Sequence, residues 1–376
     1  MQNAKVLALV GEEDGCALWR VLLPFAELQR QGHAGVEWGF RDDDRLAQIV
    51  NQFDAVILPR LHWPMEEREK ADKWFDALHR AGKTIIYELD DDLFSDDFER
   101  RLVQLHGYVA EEAKARRGCI MHTIRRCDGV TVSSQRVATM LRQYLDVPIR
   151  VVPNYIDLRW FQKVQKKAVR KVEGLTIGWA GGIRPDSDVE MMARAWKVIA
   201  EKYPQVTFVI QGHHAKTFYE QVPNERIAML DWMPIHAYPA GMKNVDIGCC
   251  PLGNTQFNRA KTYIKALEYA ASGAAVVASP TVYGQVIEHG EDGYLAETVD
   301  AWIEDLSRLV EDYHHRKDLS KRLLAKVRRE HTLEQNAWRW VEAWTDLVTQ
   351  HRARTRGPVP RILLPEGVEV KHEYAI

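Results

Sequence analysis

Lys261, Lys265 and Glu268 stand four and three residues apart in the segment Lys261-Thr-Tyr-Ile-Lys265-Ala-Leu-Glu268. On a helix that spacing brings all three onto one face. Two cations beside the free amides of a helix start supply the positive charge that a diphosphate needs once its oxygens leave water. A carboxylate one turn further on can accept from a ribose diol. The plainer alternative is a surface ion pair between Lys265 and Glu268. A second anion-binding candidate is Gly181-Gly182-Ile-Arg184, where a strand ending in two glycines lets backbone amides approach a phosphate and Arg184 adds charge. The third candidate is Asp90-Asp91-Asp92, three carboxylates that close an apolar run. Like charges side by side raise the pKa of at least one of them unless they are paired or solvated.

The elements that must position these groups are legible as short apolar runs. In the first part of the chain they fall at 6–10, 55–58, 84–87, 129–132 and 149–152. After residue 172 they recur at 175–179, 206–210, 227–230, 246–250, 274–278 and 294–296. Runs of this length, bounded by polar or glycine-rich punctuation, read as strands of parallel sheets covered on both faces. Helix-period segments fill the gaps, notably 18–30, 66–80, 134–145, 187–202, 262–272 and 299–309. This double alternation predicts an α/β fold of two tandem doubly wound Rossmann-like domains facing a central cleft, with ligands at the carboxyl ends of the strands. The charged stretch 163–171 marks the boundary, between a first domain over 1–165 and a second over 172–333. Residues 334–376 read as a tryptophan-rich helix (Trp338, Trp340, Trp344) packing across domains, then an irregular proline-containing tail.

Composition narrows the function classes. A chain of 376 residues that is 46% hydrophobic has room for two cores. Its 51 Lys+Arg against 53 Asp+Glu remove the overall basic footprint of a dedicated nucleic-acid binder. Five cysteines without a CxxC pair indicate neither a zinc knuckle nor a disulfide framework, and predict a reducing, cytoplasmic setting. The apolar run at 6–10 is too short for a signal peptide, and no stretch approaches the roughly 18 apolar residues of a membrane span. Any membrane contact is expected to be peripheral.

The run Pro251-Leu252, Phe257-Asn258, Lys261, Ile264-Lys265, Glu268-Tyr269, Gly273 and Val276-Val277-Ala278-Ser279 resembles the retaining, family-four glycosyltransferases of GT-B fold. The likeness is strongest to enzymes of surface-polysaccharide synthesis and phage-encoded relatives, and it spans residues 5 to about 345. It implies transfer of a sugar from a nucleotide diphosphate sugar, a UDP-sugar being favoured, to a glycan or lipid-linked glycan. It further implies a donor site of Gly181, Gly182, Arg184, Trp232, Met233, Asn258, Lys261, Ile264, Lys265 and Glu268. Asp91 and Asp90 then stand next to the reacting sugar, with Lys261 sharing the catalytic role, and Gly15, Arg20 and His122 face the acceptor.

Two departures stand out. The family's paired glutamates are eight residues apart, and the position eight before Glu268 is Ala260; Asn258 and Arg259 are the nearby candidates for the sugar hydroxyls. Where the family's glycine loop usually offers Arg and Lys, this chain has Gly182 and Ser187, with Arg184 displaced by two positions. A metal on Asp90-Asp91-Asp92 is the competing reading. The resemblance is to a fold that neutralises diphosphate with side chains and amides, so no metal or cofactor is expected, nor do His213 and His214 have a third ligand. The alternatives are a hydroxymethylated pyrimidine in DNA as acceptor, with Arg116, Arg117, Arg125 and Arg126 on phosphates, a sugar-nucleotide epimerase, and a non-catalytic nucleotide-binding protein.

Overall fold

The computed structural model describes residues 3–11, 15–41, 44–163, 174–213, 215–233 and 237–355. The chain divides into two compact units, one of Met1–Val103, Tyr108–Pro153 and Ala337–Ile376, the other of Gln104–Gly107 and Asn154–Asn336. The crossing at Pro153–Asn154 comes ahead of the charged stretch that the sequence marks. Helix Leu158–Lys163 already belongs to the second unit, where Trp160 stacks on Tyr238 at 6.5 Å. The remainder of that stretch, 164–173, lies outside the described residues.

The first unit carries a parallel sheet of β1 (Val6–Val10), β2 (Val36–Phe40), β3 (Ala55–Pro59), β4 (Thr84–Leu89), β5 (Gly129–Val132) and β6 (Ile149–Val151). Its order is β2-β1-β3-β4-β5-β6. Every residue of β1, β3, β4 and β5 is buried, which is why each reads as a mainly apolar run, with Thr84 and Glu88 in β4 and Thr131 in β5 as buried polar exceptions. Strand β2 escaped the sequence reading. It lies at the sheet edge, and Glu37 and Gly39 interrupt its apolar run.

The second unit carries β7 (Thr176–Gly181), β8 (Thr207–Gly212), β9 (Ile227–Leu230), β10 (Ile247–Cys250), β11 (Ala275–Ala278) and β12 (Tyr294–Leu295), again all parallel. The order β12-β11-β10-β7-β8-β9 puts the reversal of strand order, the topological switch point, between β7 and β10. Loops leaving those two strands diverge to opposite faces, and the crevice they leave is where open α/β sheets take ligands. Trp196 anchors the core beneath, stacked on Phe218 at 5.3 Å and packed against Phe208 at 4.9 Å.

One close approach positions the helix Ile264–Ser272. A β-carbon on Gly248 in β10 would stand 2.3 Å from the ring of Tyr269, so only bare backbone lets that ring lie on the strand. The Tyr269 hydroxyl then donates to the Gly178 carbonyl of β7 at 3.2 Å. Gly273 ends the helix in the left-handed conformation, φ +85°.

The helix Trp338–Arg354 belongs to the first unit, where the sequence reading had it spanning both domains. Trp340 and Trp344, four apart, are buried, and Trp344 meets Phe25 edge-on at 5.3 Å. Trp338, on another face, is 46% exposed. That resolves the spacing that no single face can accommodate. The tail beyond residue 355 lies outside the described residues, and among those described no helix is long and apolar enough to cross a membrane.

Candidate functional site

At the end of β7, Gly181 leaves space that Arg184 fills. A β-carbon there would come within 2.7 Å of both the guanidinium and the Trp179 ring. The guanidinium stacks over Trp179 at 5.1 Å, with Nη1 reaching the Pro251 carbonyl at 3.5 Å, so Arg184 is held at the strand ends. Trp232, after β9, is 74% exposed and lies beside Gly182 and Gly212, a flat apolar surface next to the Gly-Gly turn. Met233 Sδ accepts from Gln211 Nε2 at 3.4 Å. His214, Pro234 and His236 lie outside the described residues.

After β10 the chain forms a short helix Gln256–Arg259, capped by the Thr255 hydroxyl, and turns before the helix Ile264–Ser272 begins. Lys261 therefore sits in the turn, its ammonium 4.8 Å from the Phe257 ring centre, and does not share a helical face with Lys265 and Glu268. Asn258, a candidate for sugar hydroxyls, is fully buried. Its Nδ2 donates to Asp188 Oδ1 at 2.6 Å and to the Gly253 carbonyl at 3.0 Å. Asn258 thus ties the loop after β10 to the loop after β7.

Lys265 and Glu268 do form the ion pair that their spacing permits, Nζ to Oε2 at 2.5 Å. It is not a surface pair, because the Glu268 side chain is 3% exposed. Tyr238 joins it, donating from its hydroxyl to Glu268 Oε2 at 3.1 Å while accepting from Lys265 Nζ. Cys250, the last residue of β10, registers the convergence. Burial raises its thiol well above the ordinary range, and Cys249, Lys265, Glu268 and Arg184 all lie close enough to act on it.

In the first unit, Asp90 and Asp91 are bridged by one guanidinium. Arg60 Nε donates to Asp90 Oδ1 at 2.5 Å and Nη2 to Asp91 Oδ2 at 2.9 Å. Arg60 follows β3 with φ +49°, a left-handed backbone unusual for a residue with a side chain. Sequence reasoning missed it, since no local pattern links Arg60 to carboxylates thirty residues on. Asp92 behaves differently. It is buried, which raises its carboxyl above the usual range despite hydrogen bonds from Ser95 and from the Phe94 and Ser95 amides.

Of the three residues assigned from sequence to the acceptor side, Arg20 and His122 are engaged by other partners. Arg20 is fully buried, its Nε on Glu88 Oε1 at 2.8 Å, its Nη1 on the Val152 carbonyl at 2.6 Å, and its plane 5.2 Å from Trp340. That places it in the unit's core, where an acceptor anion has no access. Burial pushes the Glu88 carboxyl up, against the pull of Arg20 and Thr131. His122, on helix Ala110–Arg125, pairs with Asp72 at 2.9 Å. Gly15 opens the short helix Gly15–Ala17, and loop residues 12–14 before it lie outside the described residues.

Two units, each a six-stranded parallel sheet with flanking helices, constitute the GT-B architecture of glycosyltransferases. Residues 174–312, most of the second unit, match the family described as Glycosyl transferases group 1, which defines a glycosyltransferase domain there. A protein of Bacillus subtilis (strain 168), assigned to teichuronic acid biosynthesis as glycosyltransferase TuaH, is 26% identical over 168 residues. That match covers 42% of this chain and 41% of TuaH, so the chain spans about two fifths of that relative's length. Among solved structures, Anabaena Alr3699/HepE in complex with UDP and glucose superposes with a TM-score of 0.63 at 15% identity, over 91% of this chain and all (100%) of that one. An alpha-glucosyltransferase in complex with UDP-glucose and DNA containing an abasic site gives 0.61 at 14% identity, over 92% and 98%. These last two likenesses are of fold.

Proposed function

We propose that this protein transfers a sugar from a nucleoside diphosphate sugar to a hydroxyl acceptor, with the donor at the carboxyl ends of β7 and β10. The observation that carries this is the gathering of Lys265, Glu268 and Arg184 around the end of β10, beside the Gly181-Gly182 turn. Departure of the nucleotide leaves negative charge on the diphosphate, which preorganised cations stabilise. Lys265, Arg184 and, from the turn, Lys261 supply that charge. Glu268 faces the ribose, Ile264 lies at the helix start beside the diphosphate, and Trp232 with Met233 receives the base.

We assign UDP-sugar as donor, in line with the UDP and UDP-glucose held by structures of the same fold. Asp91 and Asp90, fixed by Arg60, are assigned to the side of the reacting sugar and acceptor. The family-four resemblance supports retention, and the similarity to TuaH supports a glycan or lipid-linked glycan acceptor. Neutralisation by side chains leaves no step that calls for a metal.

The test is incubation with UDP-, GDP-, dTDP- and ADP-sugars, with and without EDTA, read as release of the free nucleoside diphosphate. Slow hydrolysis or transfer of one donor, insensitive to EDTA, is expected; a new sugar nucleotide would indicate an epimerase, and no binding of any donor would refute the proposal. The anomeric configuration of the product decides retention.

A DNA acceptor is the second reading, prompted by the likeness to the DNA-bound glucosyltransferase. Arg117 is engaged by Asp96 and Glu99, Arg126 by Asp72 and Asp76, and Arg116 by Tyr108, while Arg125 is exposed. Binding of duplex DNA that falls steeply with added salt would favour this reading. No binding at low salt would remove it.

A further inference from the structure

We infer that Tyr238 is a positioning residue that holds Glu268 for the ribose and so enforces a preference for ribo- over 2′-deoxyribonucleotides; this rests on the donor site proposed above. Tyr238 is the first residue of the helix Tyr238–Met242 and is pinned at three points. Its carbonyl accepts from Gln211 Nε2 at 3.0 Å, its ring stacks on Trp160 with 27° between planes, and its hydroxyl donates to Glu268 Oε2. A side chain fixed at backbone, ring and tip has little freedom left to lose when a ligand arrives.

The carboxylate needs such a partner because its other one is shared. Lys265 Nζ lies 2.5 Å from the same oxygen, Oε2, and a diphosphate bound at the helix start competes for that ammonium. As the ammonium turns to the phosphates, Tyr238 remains to hold Oε2. Oε1 accepts no hydrogen bond from the described residues and is the oxygen left for the ribose hydroxyl. Burial and the adjacent Glu268 carboxylate raise the Tyr238 phenol well above its ordinary range, so it stays protonated and remains a donor across working pH.

The experiment measures Kd for UDP and for 2′-deoxy-UDP on the full chain by titration calorimetry. The wild type is expected to prefer UDP. Tyr238→Phe, which removes only the hydroxyl, is expected to weaken UDP about tenfold and to bring the ratio of the two constants towards one. In a Glu268→Ala background the same substitution is expected to add nothing, as for two groups acting through one contact. Trp160→Ala frees the Tyr238 ring while leaving its hydroxyl in place and is expected to lower the ratio in the same direction by a smaller factor, which keeps the question answerable if Tyr238→Phe does not fold. A ratio unchanged in both variants, or losses that add in the double variant, overturns the role of Tyr238 alone. A wild type that binds UDP without preference overturns the ribose role of Glu268 as well. A wild type that binds neither UDP nor GDP overturns the donor site itself.

Discussion

Lys265 is tied to Glu268 and Tyr238 before any donor binds, so its charge is both placed and partly compensated. Truncating either partner should therefore show in donor binding. Lys265→Ala is expected to weaken UDP at least tenfold and to make the remaining affinity less salt-sensitive, and Glu268→Ala to weaken it by a comparable factor, measured by calorimetry at two salt concentrations. Unchanged affinity in both would refute the site assignment. At the other sheet, Arg60 does two things that can be separated. Arg60→Ala removes the hydrogen bonds to Asp90 and Asp91 and is expected to cost about 1.5–3 kcal/mol of stability, the range for hydrogen bonds to charged groups. Arg60→Gly loses the same guanidinium but relaxes the left-handed backbone, and should recover about 1 kcal/mol of that cost. Urea denaturation of the two variants makes the comparison, and a glycine variant no more stable than the alanine one would remove the strain argument.

Among the elements, the helix Ile264–Ser272 matters most, and a glycine outside it governs its seat. Gly248→Ala places a methyl group where the Tyr269 ring lies, with backbone on one side and an aromatic ring on the other. The helix must lift, at an expected cost of about 1–3 kcal/mol, and Glu268 moves with it because it precedes Tyr269 in the chain. Thermal unfolding should shift down and UDP affinity should fall together; a stable variant with weakened UDP binding, or the reverse, would uncouple the two. The same scale shows the bridge from Asn258 to Asp188, which fixes the spacing of the two loops that leave β7 and β10. Neither partner has any sequence signal for the other, seventy residues apart.

For the molecule as a whole, a buried and a partly buried carboxylate give opposite pH signatures. Asp305, in the helix Val299–Glu311, is raised to about 6 by burial, and its Oδ2 has no hydrogen-bond partner among the described residues. Unfolded, it loses its proton near the ordinary 3.8. Folded protein holds the proton longer, so stability falls as pH rises from about 4 through 6. Asp305→Asn should remove that decline and gain on the order of 2 kcal/mol at pH 7, with little difference at pH 3.5. Asp128 runs the other way. Burial pushes it up, but His351, His79 and the Ile85 amide outweigh that and hold it at about 2. Its contribution is complete above about pH 4 and disappears as pH falls towards 2, so Asp128→Asn should cost stability at neutral pH and nothing in strong acid. Denaturant titrations at pH 2, 3.5, 5 and 7 check both, and matching pH profiles in wild type and variants would contradict them.

What the sequence by itself determined is the double β/α alternation and the shared helical face of Lys265 and Glu268, because these follow from local periodicity: apolar runs for doubly covered strands, and side chains one turn apart on a helix; the GT-B class came from the family resemblance of the segment 251–279. Tertiary structure alone decided that β2 pairs at an edge despite its exposed positions, that Trp340 and Trp344 return to the first unit, that Arg20 is buried against Glu88, and that Tyr238, Asn258 and Arg60 each bind partners from distant segments. Those contacts join residues far apart in the chain, and which polar group satisfies which is settled only when packing closes the space around them and decides which partners come within reach.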